Sequence, residues 1–424
     1  MREKNTEGQS ESRVCFESLE NWARGKMQEL LQGILEEEVT ELLGRRRSER
    51  RAVEGMVDPK PGSRNGHGKP RKVGMMGGTV TVRRPRVRDL EERFESRVLP
   101  LFKRKSKELG EMLPELYLHG LSSGDFELAL RGLLGEGAPL SASSIQRLKA
   151  KWELEFDAWK KQDLSSLEAV YFWADGIYVK AGIEDRKSAL LVIIAALSNG
   201  EKRLVACESG ERESKESWLK ILRDLKARGL KFPKLSVADG ALGLWSALGE
   251  IHPAGEEQRC WNHKITNVLD DLPKKEQAKA SELLKEIPYA ATKELCEEKR
   301  DEFASRYRKT DPKAVATLMR DWERMVSFYS FPEAHWVHLR TSNIVESPFS
   351  AIRLRTDASR RYKRVEGARA MIWKLLTVAE KSWRKLRSPE LVSLVARGVK
   401  FKDGIAVSER QETSNQYQQE RIAA

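Results

Sequence analysis

The strongest constraint on the fold is a change of texture after Leu164. Residues 169–181 (AVYFWADGIYVKA), 188–197 and 203–207 are three consecutive runs rich in β-branched and aromatic side chains. Such side chains suit a pleated, buried surface. Residues 215–228 follow, with Trp218, Leu219, Leu222 and Leu225 at helical spacing. Then come a short apolar strand at 235–238, a helix from about Leu242 and a further strand within 256–262. Strands that alternate with helices bury a sheet beneath those helices, so this part of the chain is predicted to be an α/β core. A length of 424 residues, at roughly 150 per domain, leaves room for about two to three domains. With 40% hydrophobic residues the chain can bury a sizeable core, which excludes global disorder.

Three antiparallel strands followed by helix, strand, helix, strand is the order of an α/β core of the ribonuclease H type. From residue 265 to about 329 the pattern becomes helical and polar, punctuated by Pro273, Pro288 and Pro312, and reads as a helical insertion. Residues 341–353 give a turn and a helix, and 366–386 a long helix with Met371, Trp373, Leu375, Leu376, Ala379 and Trp383. Residues from about 407 to 424 are polar and expected to be loose. Upstream, 16–50 reads as one or two amphipathic helices, and the Gly- and Pro-rich stretch 58–76 as loop. Residues 79–87 (TVTVRRPRV) alternate like a strand or hairpin arm that Pro85 confines to an edge or a bend. Residues 109–152 read as helices broken twice, with a turn at Gly120 and caps at Ser122 or Ser123 and at Ser141 or Ser143. Short helices ending in one that carries Gln146, Arg147, Lys149 and Lys151 fit a helix-turn-helix, and equally an ordinary helical bundle.

The charge is concentrated. Residues 44–107 hold 20 of the 77 Lys and Arg but only seven of the 64 Asp and Glu, which accounts for the whole net charge of +13. The segment includes RRRSERR at 45–51 and Arg83, Arg84, Arg86 and Arg88 in RRPRVR. Such a segment favours a polyanion whose counterions are released on binding, although a solvated charged face has the same composition. A second basic run, RLRTDASRRYKR, contains Arg353, Arg355, Arg360 and Arg361. The longest apolar run, 189–197, is far short of the roughly 18–20 residues of a spanning helix, so no membrane span is expected. The opening MREKNTEGQSESR has no apolar h-region, and Cys15, Cys207, Cys260 and Cys296 form no disulfide framework. A cytoplasmic location is therefore expected.

Asp175 stands inside an apolar strand between Trp173 and Ile177, where a carboxylate is costly unless ligated or hydrogen-bonded. Asp239 ends the short strand LSVAD, the end at which α/β sheets place ligand-binding groups. Glu346 opens a helix after RTSNIV. Three acids from separate elements could converge on two divalent cations, with hard oxygen ligands suited to magnesium. Spacing alone does not select them: Asp before Gly is commonly a turn residue, and Glu184, Asp185, Asp270 and Asp271 also occupy plausible loops. Cys260 and His263 form a lone C-x-x-H, half of what a structural zinc requires.

Four motifs, AVYFWADGIYVKA, LSVADGALGLWSAL, RCWNHKITNVL and LRTSNIVESPFSAIRLRT, resemble in sequence and order those of the bacterial Mutator-type insertion-sequence transposases. Upstream, GSRNGHGKPRKV…GTVTVRRPRVRD and ELYLHGLSS…LSASSIQRLKAKW are similar to that family's basic hairpin and helical DNA-binding region. The resemblance covers roughly residues 55–386. Ser342 stands where the family commonly repeats Thr, and the basic run after Glu346 departs from the family's uninterrupted Arg run.

The resemblance implies a ribonuclease H-like D-D-E transposase: an α/β ribonuclease H-like catalytic core with a helical insertion, preceded by a mainly α-helical DNA-binding region. It implies Asp175, Asp239 and Glu346 as catalytic metal ligands for two Mg2+ (or Mn2+), and Cys260, His263, Arg340 and Asn343 as supporting residues. Arg83, Arg84, Arg86, Arg88, Gln146, Arg147 and Lys149 would contact the terminal inverted repeats, and Arg353, Arg355, Arg360 and Arg361 the phosphates near the site. The partners implied are double-stranded terminal and target DNA and a second copy of the chain, since two ends must meet, in a cytoplasmic, nucleoid-associated setting. The family is thought to act through a joined circular intermediate. The expected divisions are 1–54 (helical), 55–108 (basic loop and hairpin), 109–164 (helix-turn-helix-like), 165–263 (core), 264–335 (insertion), 336–390 (core completion) and 391–424 (tail). The alternative is a catalytically inactive, transposase-derived DNA-binding protein.

Overall fold

The computed structural model describes residues 18–49, 60–101, 103–118, 120–121, 126–135, 142–180, 187–210, 212–240, 242–359, 362 and 364–407. The chain divides into two compact units, Met1–Leu148 and Lys149–Ala424.

In the first unit, helix α1 (Leu19–Leu43) buries Leu35, Val39 and Leu43, one residue per turn of a single stripe. Residues 58–76, read as loop, instead contain strands β1 (Ser63–His67) and β2 (Arg71–Met75), which pair with β4 (Pro85–Arg88) and β3 (Gly78–Val82), respectively. The unit is thus less purely helical than expected. Helix α1 supplies what the Gly-rich sequence lacks. Leu35 packs on Val73, Val80 and Val82. Gln28 accepts from the Thr81 N–H, and Gln32 both accepts from Arg83 N and donates to Arg83 O, each at 2.9 Å. These side chains occupy an otherwise open sheet edge. Pro85 opens β4, at the bend its missing N–H predicts. Helices α2 (Lys107–Leu118), α3 (Phe126–Leu134) and α4 (Ala142–Lys160) follow, and the division between units falls inside α4. The proposed caps Ser122, Ser123 and Ser141 lie outside the described residues.

The second unit is built on a five-stranded mixed sheet of order β7-β6-β5-β8-β9. Strands β5 (Ala169–Lys180), β6 (Lys187–Leu197) and β7 (Lys202–Gly210) are antiparallel. β8 (Leu235–Ala238) joins β5 in parallel and β9 (Glu256–Arg259) joins β8 in parallel. One face is covered by α5 (Lys215–Ala227) and α6 (Leu242–Ile251), whose Trp218, Leu222 and Leu248 pack with Phe172, Ala174 and Ile193. From β9 to α13 the chain is helical, with α7 (Trp261–Asp270), α8 (Lys274–Glu286), α9 (Lys293–Tyr307), α10 (Pro312–Met319), α11 (Trp322–Val326) and α12 (Trp336–Leu339). Helices α13 (Asn343–Ser359) and α14 (Val365–Glu380) then return to the sheet.

The first part of the segment read as tail is folded. Helix α15 (Pro389–Ala396) buries Val392 and Val395, and Ser393 Oγ donates to Ser198 O at 2.8 Å. A hairpin of β10 (Phe401–Lys402) and β11 (Ile405–Ala406) follows. Among the described residues no helix is long and apolar enough to cross a membrane.

Candidate active site

The sheet register brings the two aspartates together. Ala174 on β5 pairs with Ala238 on the parallel β8, so Asp175 and Asp239 are the next residues on neighbouring strands. Side chains alternate across a strand. Phe172 and Ala174 enter the core beneath α5 and α6, so Tyr171, Trp173 and Asp175 face the other side. There the Trp173 indole donates to His338 O at 2.9 Å, and Tyr171 Oη lies 2.8 Å from His335 Nδ1. Asp175 therefore projects on the face where residues 335–346 return to the sheet.

A third acid joins them that the sequence reading did not select. One oxygen each of Asp175, Glu213 and Asp239 lies within 4.8 Å of the others. Glu213 precedes Ser214, the N-cap of α5, whose Oγ accepts from Ser217 N. Two glycines admit it. A Cβ on Gly176 would stand 2.4 Å from Glu213 Oε1, and one on Gly243 2.4 Å from Glu213 O. In sequence, Glu213 looks like an ordinary acid at a helix start, so only the packing of those glycines reveals it.

Glu346 is held from a different side. Cys260 N donates to Ala238 O at 2.7 Å, Trp261 N to Arg340 O at 2.9 Å, and Ser342 N to Cys260 Sγ at 3.3 Å. These bonds staple residues 340–342 to the end of β9 across the intervening helices. Ser342 Oγ then donates to Glu346 Oε1, in the first turn of α13. His263 Nδ1 stands 3.8 Å from the same oxygen, and Cys260, His263 and Glu346 form a compact group. Arg340 plays a packing role: its guanidinium lies 4.6, 5.2 and 5.4 Å from the rings of Tyr289, Phe328 and Trp336. Asn343 Oδ1 accepts from Asn262 Nδ2 at 3.2 Å.

The electrostatics follow from this crowding. Burial, then the charges of Asp239, Glu213 and Glu346, push the Asp175 carboxyl up to about 7, against a hydrogen bond from Gly176 N–H. Burial and Asp239 likewise raise Glu213, and burial with Glu213 pushes the Tyr178 hydroxyl up to about 12. His263 is pushed up to about 9 by its hydrogen bond with Cys260, with Glu346 and Asp239 adding to it, so it is an imidazolium near neutrality. Burial alone would raise the Cys260 thiol, but hydrogen bonds with His263 and Ser342 bring it below its usual value. Like-charged carboxylates sharing a half-buried site repel one another, and hard oxygen donors so placed suit a divalent cation such as magnesium. The decoys lie elsewhere: Asp271 is held by Lys313 at 2.7 Å and Thr317 at 2.7 Å, and Asp270 ends α7. Glu184 and Asp185 lie outside the described residues.

The basic residues divide. In the first unit Arg83, Arg86 and Arg88 are exposed and Arg84 half-buried. Arg84 and Arg86 line a cleft of about 510 Å³ together with Lys69, Arg71, Arg93 and Arg104, none of which the sequence reading had singled out. Burial, then Arg84 and Arg104, lower the Arg71 pKa. Gln146 and Arg147 are exposed on α4, and Lys149 is half-buried. Arg353 is exposed on α13, but Arg355 is buried, contrary to the expected phosphate contact. It lies on the same face as Val345, Phe349 and Ile352, the stripe that α13 packs inward. Arg360 and Arg361 lie outside the described residues.

The second unit is thus a mixed α/β domain with Asp175, Glu213 and Asp239 gathered beside the carboxyl end of a parallel strand, and the first unit carries a basic cleft. The chain belongs to the Mutator family of transposases, whose sequence model it matches over residues 2–386. It is 44% identical over 296 residues to the transposase for insertion sequence element IS6120 of Mycolicibacterium smegmatis, covering 70% of this chain and 92% of that protein. It is 42% identical over 279 residues to the transposase for IST2 of Acidithiobacillus ferrooxidans, covering 65% and 94%. A relative from Rhizobium meliloti, the transposase for ISRM5, is 27% identical over 360 residues, covering 84% of this chain and 86% of that protein.

Proposed function

We propose that this chain is an insertion-sequence transposase that binds the terminal inverted repeats of its element and performs metal-dependent DNA cleavage and strand transfer. The observation that carries this reading is the gathering of Asp175, Glu213 and Asp239 at one strand end, with Glu346 close enough for its charge to act on Asp175. The strand order, three antiparallel strands and then two parallel ones, supports a ribonuclease H-like core. The seven expected divisions are kept as a proposal, with the basic cleft belonging to 55–108.

Asp175 and Asp239 would hold two Mg2+ ions, for which Mn2+ could substitute, with Glu346 completing the set and Glu213 as a fourth acid. Bound there, such ions polarise a phosphate and activate the attacking oxygen. The chain's own groups set the geometry. Ser342 aims Glu346, and the His263 imidazolium beside it balances charge on the scissile phosphate. In the first step a water oxygen bonds to phosphorus, the bond to the 3′ oxygen breaks, and that oxygen leaves as a hydroxyl. In the second, the freed 3′ hydroxyl attacks a target phosphate and displaces the target's 3′ oxygen. One phosphodiester replaces another, so no external energy source is needed. Arg353 and the basic face of the first unit would position DNA by its phosphates. Two ends must be joined, so the working form is a homodimer or larger, acting in the cytoplasm beside the nucleoid.

The test is outward-facing PCR on cells carrying the gene with its flanking DNA, run beside Asp239→Asn. A junction product from the wild type and none from the variant supports the reading and gives the end sequences. Purified Asp239→Asn should bind those ends within a few-fold of wild type yet not cut them. A junction product from both chains removes Asp239 from catalysis. No product from either, in cells making folded protein, favours the inactive DNA-binding alternative.

A further inference from the structure

The start of α13, the helix that also carries Glu346, lines a cleft that the reaction above does not use. It measures about 330 Å³, and its lining includes Lys202, His338, Asn343, Ser347, Trp383 and Arg384. That volume is at the small end of ligand sites, roughly 300–1,000 Å³. Asn343 and Ser347 belong to the same turn and a half of α13 that carries Glu346, so cleft and carboxylate share one rigid element. The indole of Trp383 is half-buried in a basic run, KSWRKLR, at residues 381–387. Of its cations, Lys385 pairs with Glu201 at 3.4 Å. Arg384 is exposed and Lys202 half-buried, and no acid is among the lining residues. His338 is fixed in one tautomer. Its Nε2 accepts from Arg387 N at 3.2 Å, so Nδ1 carries the proton, and burial keeps the ring neutral. The cleft therefore combines a flat aromatic wall, neutral polar groups from His338, Asn343 and Ser347, and two cations at its lining.

We propose that this cleft receives one unstacked nucleotide of the DNA end, its base against Trp383 and its phosphate near Lys202 and Arg384. Aromatic rings stack on any base, and cations track the backbone. A nucleotide that leaves the stack does so at a cost that a receiving pocket offsets. This inference rests on the transposase reading.

The experiment is a cycle between protein and DNA, read as the dissociation constant of the full-length chain from a duplex carrying the element's end. Trp383→Ala should weaken binding roughly five-fold or more, Trp383→Phe should restore most of it, and Trp383→Leu, which keeps bulk without stacking, should not. Each nucleotide of the end is then replaced in turn by an abasic site. At one position the difference between wild type and Trp383→Ala should vanish, because the base that Trp383 contacts is gone. If Trp383→Ala binds as wild type, or the difference persists at every abasic position, the inference is overturned. Wild type that binds the end no better than a scrambled duplex removes both this inference and the transposase reading. Wild type that binds and cuts the end, with no such position found, removes this inference alone.

Discussion

At the scale of single residues, the candidate site depends on a glycine as much as on its acids. Gly176 follows Asp175 on β5, and any side chain there meets the Glu213 carboxylate at 2.4 Å. If Glu213 contributes to holding the metal, Glu213→Gln should lower apparent Mn2+ affinity roughly ten-fold or more, as read from cleavage against metal concentration. Gly176→Ala should produce a similar loss by displacing the same carboxylate, and the double variant should be no worse than either single one. Additive losses would show that Gly176 acts through something other than Glu213. Ser342→Ala makes a related case. It frees Glu346 from its aiming hydroxyl while keeping the bond from Ser342 N to Cys260 Sγ. It should therefore slow cleavage at saturating metal about ten-fold while leaving end binding unchanged. Unchanged cleavage would mean that α13 alone orients Glu346.

At the scale of elements, two helices of the stretch after β9, α7 and α10, are tied to each other by a buried lysine. Lys264, in the second turn of α7, donates from Nζ to Thr317 O at 2.8 Å and to Arg320 O, at the end of α10. A cation suits that helix end. Burial, with Arg259 and Arg320 adding and Asp321 opposing, nevertheless pushes Lys264 from its ordinary 10.5 to about 7. Between about 7 and 10.5 the unfolded chain holds this proton and the folded chain does not, so folding stability rises with pH across that window. Thermal melts of wild type and Lys264→Met should show the wild type gaining on the variant as pH rises through it, by about 1.4 kcal/mol per unit of separation at most. A gap that does not change with pH would mean Lys264 stays charged when folded. Elements like the sheet were legible because their side chains announce it: Val, Ile, Phe, Tyr and Trp in β5 to β7 leave little choice of state. The same logic exposed Asp175, a charge inside an apolar run. Strands β1 and β2 were not legible, because SRNGH and RKVGM have little strand character and are held by groups of α1: Arg64 of β1 donates to Glu36 Oε2 and Thr40 Oγ1, and Val73 of β2 packs with Leu35. Glu213 and the burial of Arg355 were hidden for a similar reason: the first depends on glycines far away in sequence, the second on which face of α13 packs inward.

At the scale of the whole molecule, the net charge of +13 resides in one stretch of the chain, and the first unit gives that stretch a shape. Arg71, Arg84 and Arg104 line one cleft with Lys69, Arg86 and Arg93, and mutual repulsion with burial lowers the Arg71 pKa. Cations crowded without an acid among the lining residues are relieved by an anion. A DNA phosphate seated there would release condensed counterions, giving affinity a salt dependence of about 0.9 per phosphate neutralised. Arg84→Ala should then weaken binding of the full-length chain to end DNA and to a scrambled duplex by the same factor. It should also flatten the slope of log affinity against log salt by about one unit. Gln146 is exposed on α4 and carries no charge, so its replacement by Ala should act in the opposite sense. Preference for the end over the scrambled duplex should fall while the salt slope stays fixed, because base edges are read by hydrogen bonds that displace no counterions. Anisotropy titrations over a salt series measure both. An unchanged slope in Arg84→Ala would take the phosphate out of the cleft. A changed slope in Gln146→Ala would mean that α4 lies along the backbone and reads no bases. The two variants together therefore separate holding DNA from recognising it, the two tasks that the charge of the first unit and the neutral side chain on α4 divide between them.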